Sequence, residues 1–312
     1  MIPTCEPNRL LRETLASVLS QASPDDSLEI AVVDDASSNV DVEALVASVP
    51  GSERVEIHKS DRRLGLAGNW NRAIALARGE LVHLLHQDDR VDRGFYAAID
   101  RGFRSDPRVG MAFCRTQIVD ARGRRIKTNS RLSWRPGILA HWLPTIAERQ
   151  RVQTPSAVVS RAIYASLGGY RDDLAQAVDW EMWVRIAATA AVWYEPRMLA
   201  AFRRHGASES ARLMAAGVVW EDLARAITIN ADVVPGPIRR DVMARSARWH
   251  ASSALRTARA ELARGDAARA RRAIDGATLL LDLCREAREA TDLDRRILRL
   301  RDQHAARAPR AA

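Results

Sequence analysis

Two adjacent aspartate pairs each follow a short apolar run. Asp34-Asp35 ends the stretch Leu28-Glu29-Ile30-Ala31-Val32-Val33, and Asp88-Asp89 follows Glu80-Leu81-Val82-His83-Leu84-Leu85 with His86-Gln87 between. Carboxylates placed directly after a buried strand serve solubility poorly. They suit two tasks: holding a hard divalent cation, or accepting hydrogen bonds from a base or a sugar. For Asp88-Asp89 metal binding outweighs helix capping, because adjacent carboxylates repel unless a cation or a donor lies between them. A third group is Gly168-Gly169-Tyr170-Arg171, followed by Val178-Asp179-Trp180-Glu181-Met182-Trp183. The spacings Trp180 to Trp183 and Met182 to Ile186 start a helix near Asp179, and alone they read as a capped core helix. A fourth, Arg203-Arg204-His205-Gly206, follows the apolar run Met198-Leu199-Ala200-Ala201-Phe202, where a lone histidine carries no special meaning.

The elements that must position these residues alternate strand and helix, the pattern of a parallel α/β sheet. Leu10, Leu11, Leu15, Val18 and Leu19 predict a helix over 8–22, and the strand 28–33 follows. A helix over 41–48, a strand over 54–59, a helix over 66–78 and a strand over 80–85 come next. A helix over 92–104 and a strand over 110–119 lead into the turn Ala121-Arg122-Gly123. Ile2-Pro3-Thr4 reads as the end of a first strand whose front lies upstream of Met1, so a longer product is expected. In such a sheet, ligands settle at the carboxyl ends of the strands, where both acidic pairs stand. Beyond residue 208, Ala, Arg, Leu and Glu dominate, and helices are expected over 209–231, 238–263, 267–282 and 284–304. The stretch 258–270 resembles one helical hairpin of a tetratricopeptide array, too little for a repeat domain and suited to a cap or a dimer contact.

Composition removes several classes. With 312 residues, 47% apolar and 28% charged, the chain can bury a large core. Disorder, collagen and a disulfide-stapled miniprotein are excluded, and about two domains are expected. No apolar run reaches the roughly 18 residues that cross a bilayer, and the first residues do not read as a signal peptide. Cys5, Cys114 and Cys284 match no zinc spacing and read as reduced cytoplasmic thiols. The net charge of +9 is concentrated at one end, since residues 239–312 carry 18 arginines against 10 carboxylates. That describes a basic appendage on a balanced domain. Its alternating charges and single aromatic, Trp249, argue against nucleic-acid binding. A dinucleotide Gly-x-Gly-x-x-Gly turn after the first strand and a phosphate-loop Gly-Lys-Ser/Thr are both missing.

Taken in order, Ile2-Pro3-Thr4, Val32-Val33-Asp34-Asp35-Ala36-Ser37, Gly65-Leu66-Ala67-Gly68-Asn69-Trp70-Asn71, His86-Gln87-Asp88-Asp89, Gly168-Gly169-Tyr170, Asp179-Trp180-Glu181-Met182-Trp183 and Arg204-His205 resemble the family 2 inverting glycosyltransferases with a GT-A fold. The resemblance spans about residues 1–210. It implies an α/β GT-A nucleotide-diphospho-sugar transferase fold, a mostly parallel twisted sheet flanked by helices, over 1–208, with an all-α extension over 209–312. By position, Pro3, Thr4 and Glu6 would border the base, Asp34 would accept from the base NH, and Asp35 would support the ribose edge. Asn69 and Asn71 would lie near the diphosphate and the sugar. Asp88 and Asp89 stand at the family's Asp-x-Asp-type metal motif, with Mn²⁺ or Mg²⁺ as cofactor, Asp88 also meeting the donor and His205 joining the metal shell. Here His86 occupies the position of the motif's first acid.

The same resemblance makes Asp179 the general base. Val178 replaces the usual preceding acid, which leaves Glu181 as the rival, and Trp180 and Glu181 complete the expected substrate contacts. On a helix Asp179 and Glu181 point about 200° apart, so both cannot serve one acceptor. The implied reaction moves a sugar from a nucleotide-diphosphate donor to a hydroxyl of a cell-envelope glycan or lipid-linked saccharide, with inversion. The implied location is cytoplasmic, with peripheral contact at the inner membrane face through the basic helices, and those helices are also a candidate homodimer contact. The competing reading is a GT-A-like interaction protein without activity, whose helical tail binds a partner or a membrane surface. Acceptor contacts are expected in 125–165, including Trp134 and Trp142, where no motif is legible.

Overall fold

The computed structural model describes residues 1–22, 28–206, 208–283 and 291–307. The chain opens with β1 (Ile2–Thr4), α1 (Leu10–Leu19), β2 (Ile30–Asp34), α2 (Val42–Ala47), β3 (Val55–Lys59) and α3 (Gly65–Leu76). These strands form a parallel sheet in the order β1-β2-β3, with Thr4 opposite Asp34 and Asp34 opposite Lys59. Next come β4 (Leu81–His83), β5 (Arg90–Val91), α4 (Phe95–Ser105), β6 (Val109–Val119), β7 (Arg125–Thr128) and β8 (Gly137–Ile138). Then follow α5 (Trp142–Glu148), β9 (Ala157–Ser160), α6 (Arg161–Leu167), α7 (Val178–Thr189) and β10 (Ala191–Arg203). The second sheet has the order β4-β9-β6-β10-β5, with β7 on β6 and β8 on β10. A backbone bond from Leu85 N to the Met1 carbonyl, 3.1 Å, ties the segment after β4 to the start of β1.

The mostly parallel expectation is corrected to a mixed sheet. The β1-β2, β2-β3 and β6-β10 pairs are parallel, whereas β4-β9, β6-β9, β6-β7, β5-β10 and β8-β10 are antiparallel. The cause is loop length at β6-β7, where the turn Asp120–Arg124 is too short for the crossover that a parallel pair needs. The expected strand 80–85 shortens to Leu81–His83, and the two-residue β5 went unseen because so short a strand has no period to read.

Two compact units divide the chain. The first takes Met1–Trp142, Arg151–Asp172 and Arg185–His205, and the second takes Leu143–Gln150, Asp173–Val184 and Gly206–Ala312. The first unit's core joins α1, α2 and α4 to the strands through Leu11, Leu15, Val32, Val42, Phe95, Ile99 and Trp193, all buried. The proposed boundary at 208/209 lies close to that start of the second unit's last segment, but the unit also draws in two earlier stretches.

The second unit carries α8 (Glu209–Ala216), α9 (Val219–Ala231), α10 (Gly236–Arg264), α11 (Ala267–Asp282) and α12 (Thr291–Arg307). The single helix expected over 209–231 is two, because Gly217 sits at φ 81° and ends α8 in the left-handed conformation that favours glycine. Gly265 ends α10 the same way, and the Asp266 side chain caps α11 by accepting from Arg269 N. Cys284 and the beginning of the helix expected over 284–304 lie outside the described residues, while Cys5 and Cys114 are free thiols. Among the described residues, no helix is long and apolar enough to cross a membrane.

Candidate active site

In the first unit, β1 and β2 end side by side, and their last residues are held by polar side chains. Asp34 accepts from Ser37 N (3.1 Å) and Ser37 Oγ (2.5 Å), with Thr4 Oγ1 at 3.5 Å. Asp35 accepts from two backbone amides at the start of α3, Leu64 N (2.7 Å) and Gly65 N (3.0 Å). A carboxylate at a helix N-terminus meets both orphan N–H groups and the positive end of the helix dipole. Glu6, at φ 46°, accepts from Ser38 N (3.0 Å) and Asn39 N (3.1 Å), and its own amide donates to Ser37 Oγ (2.8 Å). Hydrogen bonds from Ser38 and Asn39, with Arg63 alongside, lower the Glu6 pKa. Pro3 is buried within β1 beside Val33. These residues are therefore brought together, with their carboxylates shaping the loops that border the strand ends.

The two asparagines expected near diphosphate and sugar are both hydrogen-bonded to backbone. Asn69 Nδ2 donates to the carbonyls of Val33 (3.0 Å) and Thr4 (3.3 Å), lacing β1 to β2. Asn71 pairs both ways with the backbone of Tyr170, accepting from its N–H at 2.7 Å and donating to its carbonyl at 2.8 Å. Gly169 permits this approach, since a Cβ there would stand 2.5 Å from Asn71 Oδ1 and its φ is 79°. For the buried Asn69, backbone carbonyls within reach satisfy the amide nitrogen, while its Oδ1 is buried without a hydrogen-bond partner among the described residues.

The second acidic pair forms a group with its neighbours. His86, Asp88 and Asp89 each offer a ligand atom, all within 4.8 Å of one another. Asp88 Oδ2 lies 2.7 Å from His205 Nε2, so β10's end delivers the expected histidine to the expected aspartate. Asp89 is 1% exposed; its Oδ1 accepts from Arg203 N at 2.7 Å, and its buried Oδ2 has no hydrogen-bond partner among the described residues. Burial, and then the charge of Asp88, holds the Asp89 carboxyl well above the usual carboxylate range, against the pull of Arg203. His86 Nδ1 lies 3.6 Å from Asp89 Oδ2, and the His86 ring stacks on Trp70 of α3 at 4.8 Å. Burial lowers the His86 pKa and keeps the imidazole neutral, the form that ligates metals. Gln87 pairs with the backbone of Cys5, accepting at 2.9 Å and donating at 3.3 Å, which joins this group to the end of β1.

Two residues of this group escaped the sequence reading. His86 figured there as a departure from the acidic motif, yet it is a third candidate ligand. Arg203 is buried, donates to the carbonyls of Asp88 (2.9 Å) and Ala121 (3.3 Å), and pairs with Glu13 (2.5 Å). An arginine ending a thirteen-residue apolar strand was the available signal.

In the second unit, Asp179 is the second residue of α7 and half-buried, and its Oδ1 accepts from Trp180 N at 2.6 Å. Trp180 and Glu181, expected to contact substrate, are 1% and 0% exposed. The Trp180 indole donates to the Ile146 carbonyl (2.6 Å) and packs 5.0 Å from the His250 ring, so it anchors α7 to α5 and α10. Burial, opposed by the hydrogen bond to the Ser246 carbonyl and aided by the charge of Arg149, brings the His250 pKa down to about 4. In the expected acceptor stretch, Trp134 is exposed under the Arg131 guanidinium, 4.0 Å from its ring, whereas Trp142 is buried.

Comparison with known proteins adds a family. The family model described as Glycosyl transferase family 2 matches residues 1–169. An uncharacterized protein of Mycobacterium tuberculosis, MT1568, is 31% identical over 230 residues, covering 69% of each chain. The O-antigen biosynthesis protein RfbC of Myxococcus xanthus is 25% identical over 210 residues, 65% of this chain and 15% of that protein. Among solved structures, S. aureus TarS 1-349 in complex with UDP-GlcNAc superposes with TM-score 0.70 at 14% identity, covering 98% of this chain and 87% of that one. The mannosyltransferase PcManGT from Pyrobaculum calidifontis, in complex with GDP-Man and Mn2+, gives 0.57 at 19% identity, covering 98% and 84%.

Proposed function

The chain belongs to glycosyl transferase family 2 and is a glycosyltransferase, and from that premise we propose that it moves a sugar from a nucleotide-diphosphate donor to a hydroxyl acceptor with inversion, assisted by a divalent metal. The observation that carries the reading is the His86-Asp88-Asp89 group at a strand's carboxyl end, with the buried Asp89 Oδ2 unpartnered. One imidazole and two carboxylates suit Mn²⁺ or Mg²⁺. His86, Asp88 and Asp89 would hold the ion, with His205 held on Asp88. When bound, such an ion offsets negative charge on a departing diphosphate. UDP-GlcNAc on TarS and GDP-Man with Mn2+ on PcManGT support a nucleotide-sugar donor and a metal.

The chain's own residues then have distinct tasks. Thr4, Asp34 and Glu6 would shape the loops that take the base. Asp35, capping α3, would set the edge for the ribose, and Asn69 and Asn71 would hold the backbone there in register. Asp179 would accept the acceptor hydroxyl's proton as that oxygen attacks the anomeric carbon opposite the leaving group. The match to RfbC supports a cell-envelope acceptor, glycan or lipid-linked. The arginine surplus of 239–312 would draw the cytoplasmic protein to anionic headgroups, which flotation with anionic liposomes tests; no salt-sensitive flotation rejects it.

The deciding assay is turnover of UDP-, dTDP- and GDP-sugars with and without Mn²⁺. Asp179→Asn should abolish transfer and leave donor binding near wild type. Asp88→Ala with Asp89→Ala should weaken metal-dependent donor binding. Near wild-type transfer by Asp179→Asn removes the base assignment, and turnover indifferent to metal removes the metal.

A further inference from the structure

Asp222 stands on α9, within the helical extension and beyond the residues that the family model matches. It is 9% exposed, and its carboxylate accepts from three consecutive backbone amides. Oδ1 takes Ala175 N at 2.7 Å, while Oδ2 takes Gln176 N at 2.7 Å and Ala177 N at 2.6 Å. These amides lead straight into α7, whose first residues are Val178 and Asp179. The Ala177 carbonyl in turn accepts from Glu181 N at 2.9 Å, so the tethered backbone continues into the first helical turn. Arg225, one turn further along α9, pairs with Asp173 at 2.5 Å. Trp180 secures the other side of Asp179 through Ile146 and His250.

Successive amides converging on one point form an anion cradle, and here a side chain 45 to 47 residues away fills it. The geometry calls for an acceptor at both oxygens of the carboxylate. Its two oxygens present acceptors on every side, whereas an amide would turn an NH₂ donor toward N–H donors. A base at a helix start needs this kind of support, because misplacement by about 1 Å can cost about a hundredfold in rate.

We propose that Asp222 is a positioning residue for Asp179, so that α9 of the helical extension belongs to the catalytic machinery. The inference rests on the assignment of Asp179 as base. The Asp222 carboxylate sets the backbone from 175 to 177, and that backbone sets where the Asp179 carboxylate stands.

The test uses the full chain with Asp222→Asn, and with Asp222→Glu as the variant that keeps the charge. Turnover of UDP-, dTDP- and GDP-sugars with Mn²⁺ should show kcat reduced about 10- to 100-fold in Asp222→Asn. Donor KM should stay within about twofold, and Asp222→Glu should recover part of the loss. Independently of activity, amide hydrogen exchange at 175–177 should be slow in the wild type and at least about tenfold faster in Asp222→Asn. Exchange that is fast in the wild type, or unchanged in the variant, overturns the proposal; so does wild-type kcat in Asp222→Asn. Active Asp179→Asn would instead sink the base assignment, while the exchange rates would still report whether Asp222 holds the turn.

Discussion

Asp89→Asn separates what the acidic group does for the metal from what it costs the fold. The substitution keeps shape and removes one charge. Asp89 Oδ1 accepts from Arg203 N, which an amide oxygen also does, and Oδ2 is buried without a hydrogen-bond partner, 3.6 Å from His86 Nδ1. A buried, unsatisfied polar atom costs about 1–3 kcal/mol, and the asparagine NH₂ would have the imidazole as an acceptor. The metal-free variant should therefore be more stable than the wild type by about that amount. At about 2–4 °C per kcal/mol, its Tm should rise by about 2–12 °C in EDTA. Mn²⁺ should reverse the order. At a hundredfold excess over Kd, the wild type gains about 2.7 kcal/mol from binding, and the variant, with a ligand lost, gains little. Differential scanning fluorimetry in EDTA and in MnCl₂ reads both halves. A variant that melts below the wild type in EDTA refutes the claim that the Asp89 oxygen is uncompensated. A wild-type Tm indifferent to Mn²⁺ refutes the metal site itself.

Gly169→Ala should cost about 2–4 kcal/mol, because a left-handed residue is strained and its Cβ, 2.5 Å from Asn71 Oδ1, would break both bonds to Tyr170. Gly168→Ala, at φ 83° with open space around its Cβ, should cost about 1–2 kcal/mol from strain alone; equal thermal shifts in the two variants would discard the clamp. The His250 pKa, at about 4, is depressed below an unfolded value near 6.5, so its stabilising effect is complete above pH 6.5 and is lost as pH falls toward 4. Thermal melts of the wild type should therefore fall more steeply across that window than melts of His250→Gln, and parallel slopes would contradict this.

Much of the fold was legible because its signals are local. The helices at 10–19, 65–76 and 95–105 and the strands at 30–34, 55–59 and 109–119 follow from apolar period and turn residues, each within a few positions of the reading. The short strands 125–128 and 137–138 were not legible, since they exist through pairing with β6 and β10 rather than through any pattern of their own. The split of 209–231 into two helices hung on one glycine, which a periodic reading passes over.

The candidate site divides the same way. Carboxylates after buried strands made Asp34, Asp35, Asp88 and Asp89 legible in the linear chain, whereas Asp179 and His205 stood out only through the resemblance to the family. Folding decided which of their oxygens are already taken. Asp35 is bound to Leu64 and Gly65, Glu6 to Ser38 and Asn39, and Asp88 to His205, while Asp89 keeps one buried oxygen without a partner. Folding also brought in His86 and Arg203, the latter pairing with Glu13, 190 residues away. Periodicity reports which face of an element is buried, but a hydrogen bond between distant segments depends on distances of a few ångströms that the packed chain alone sets.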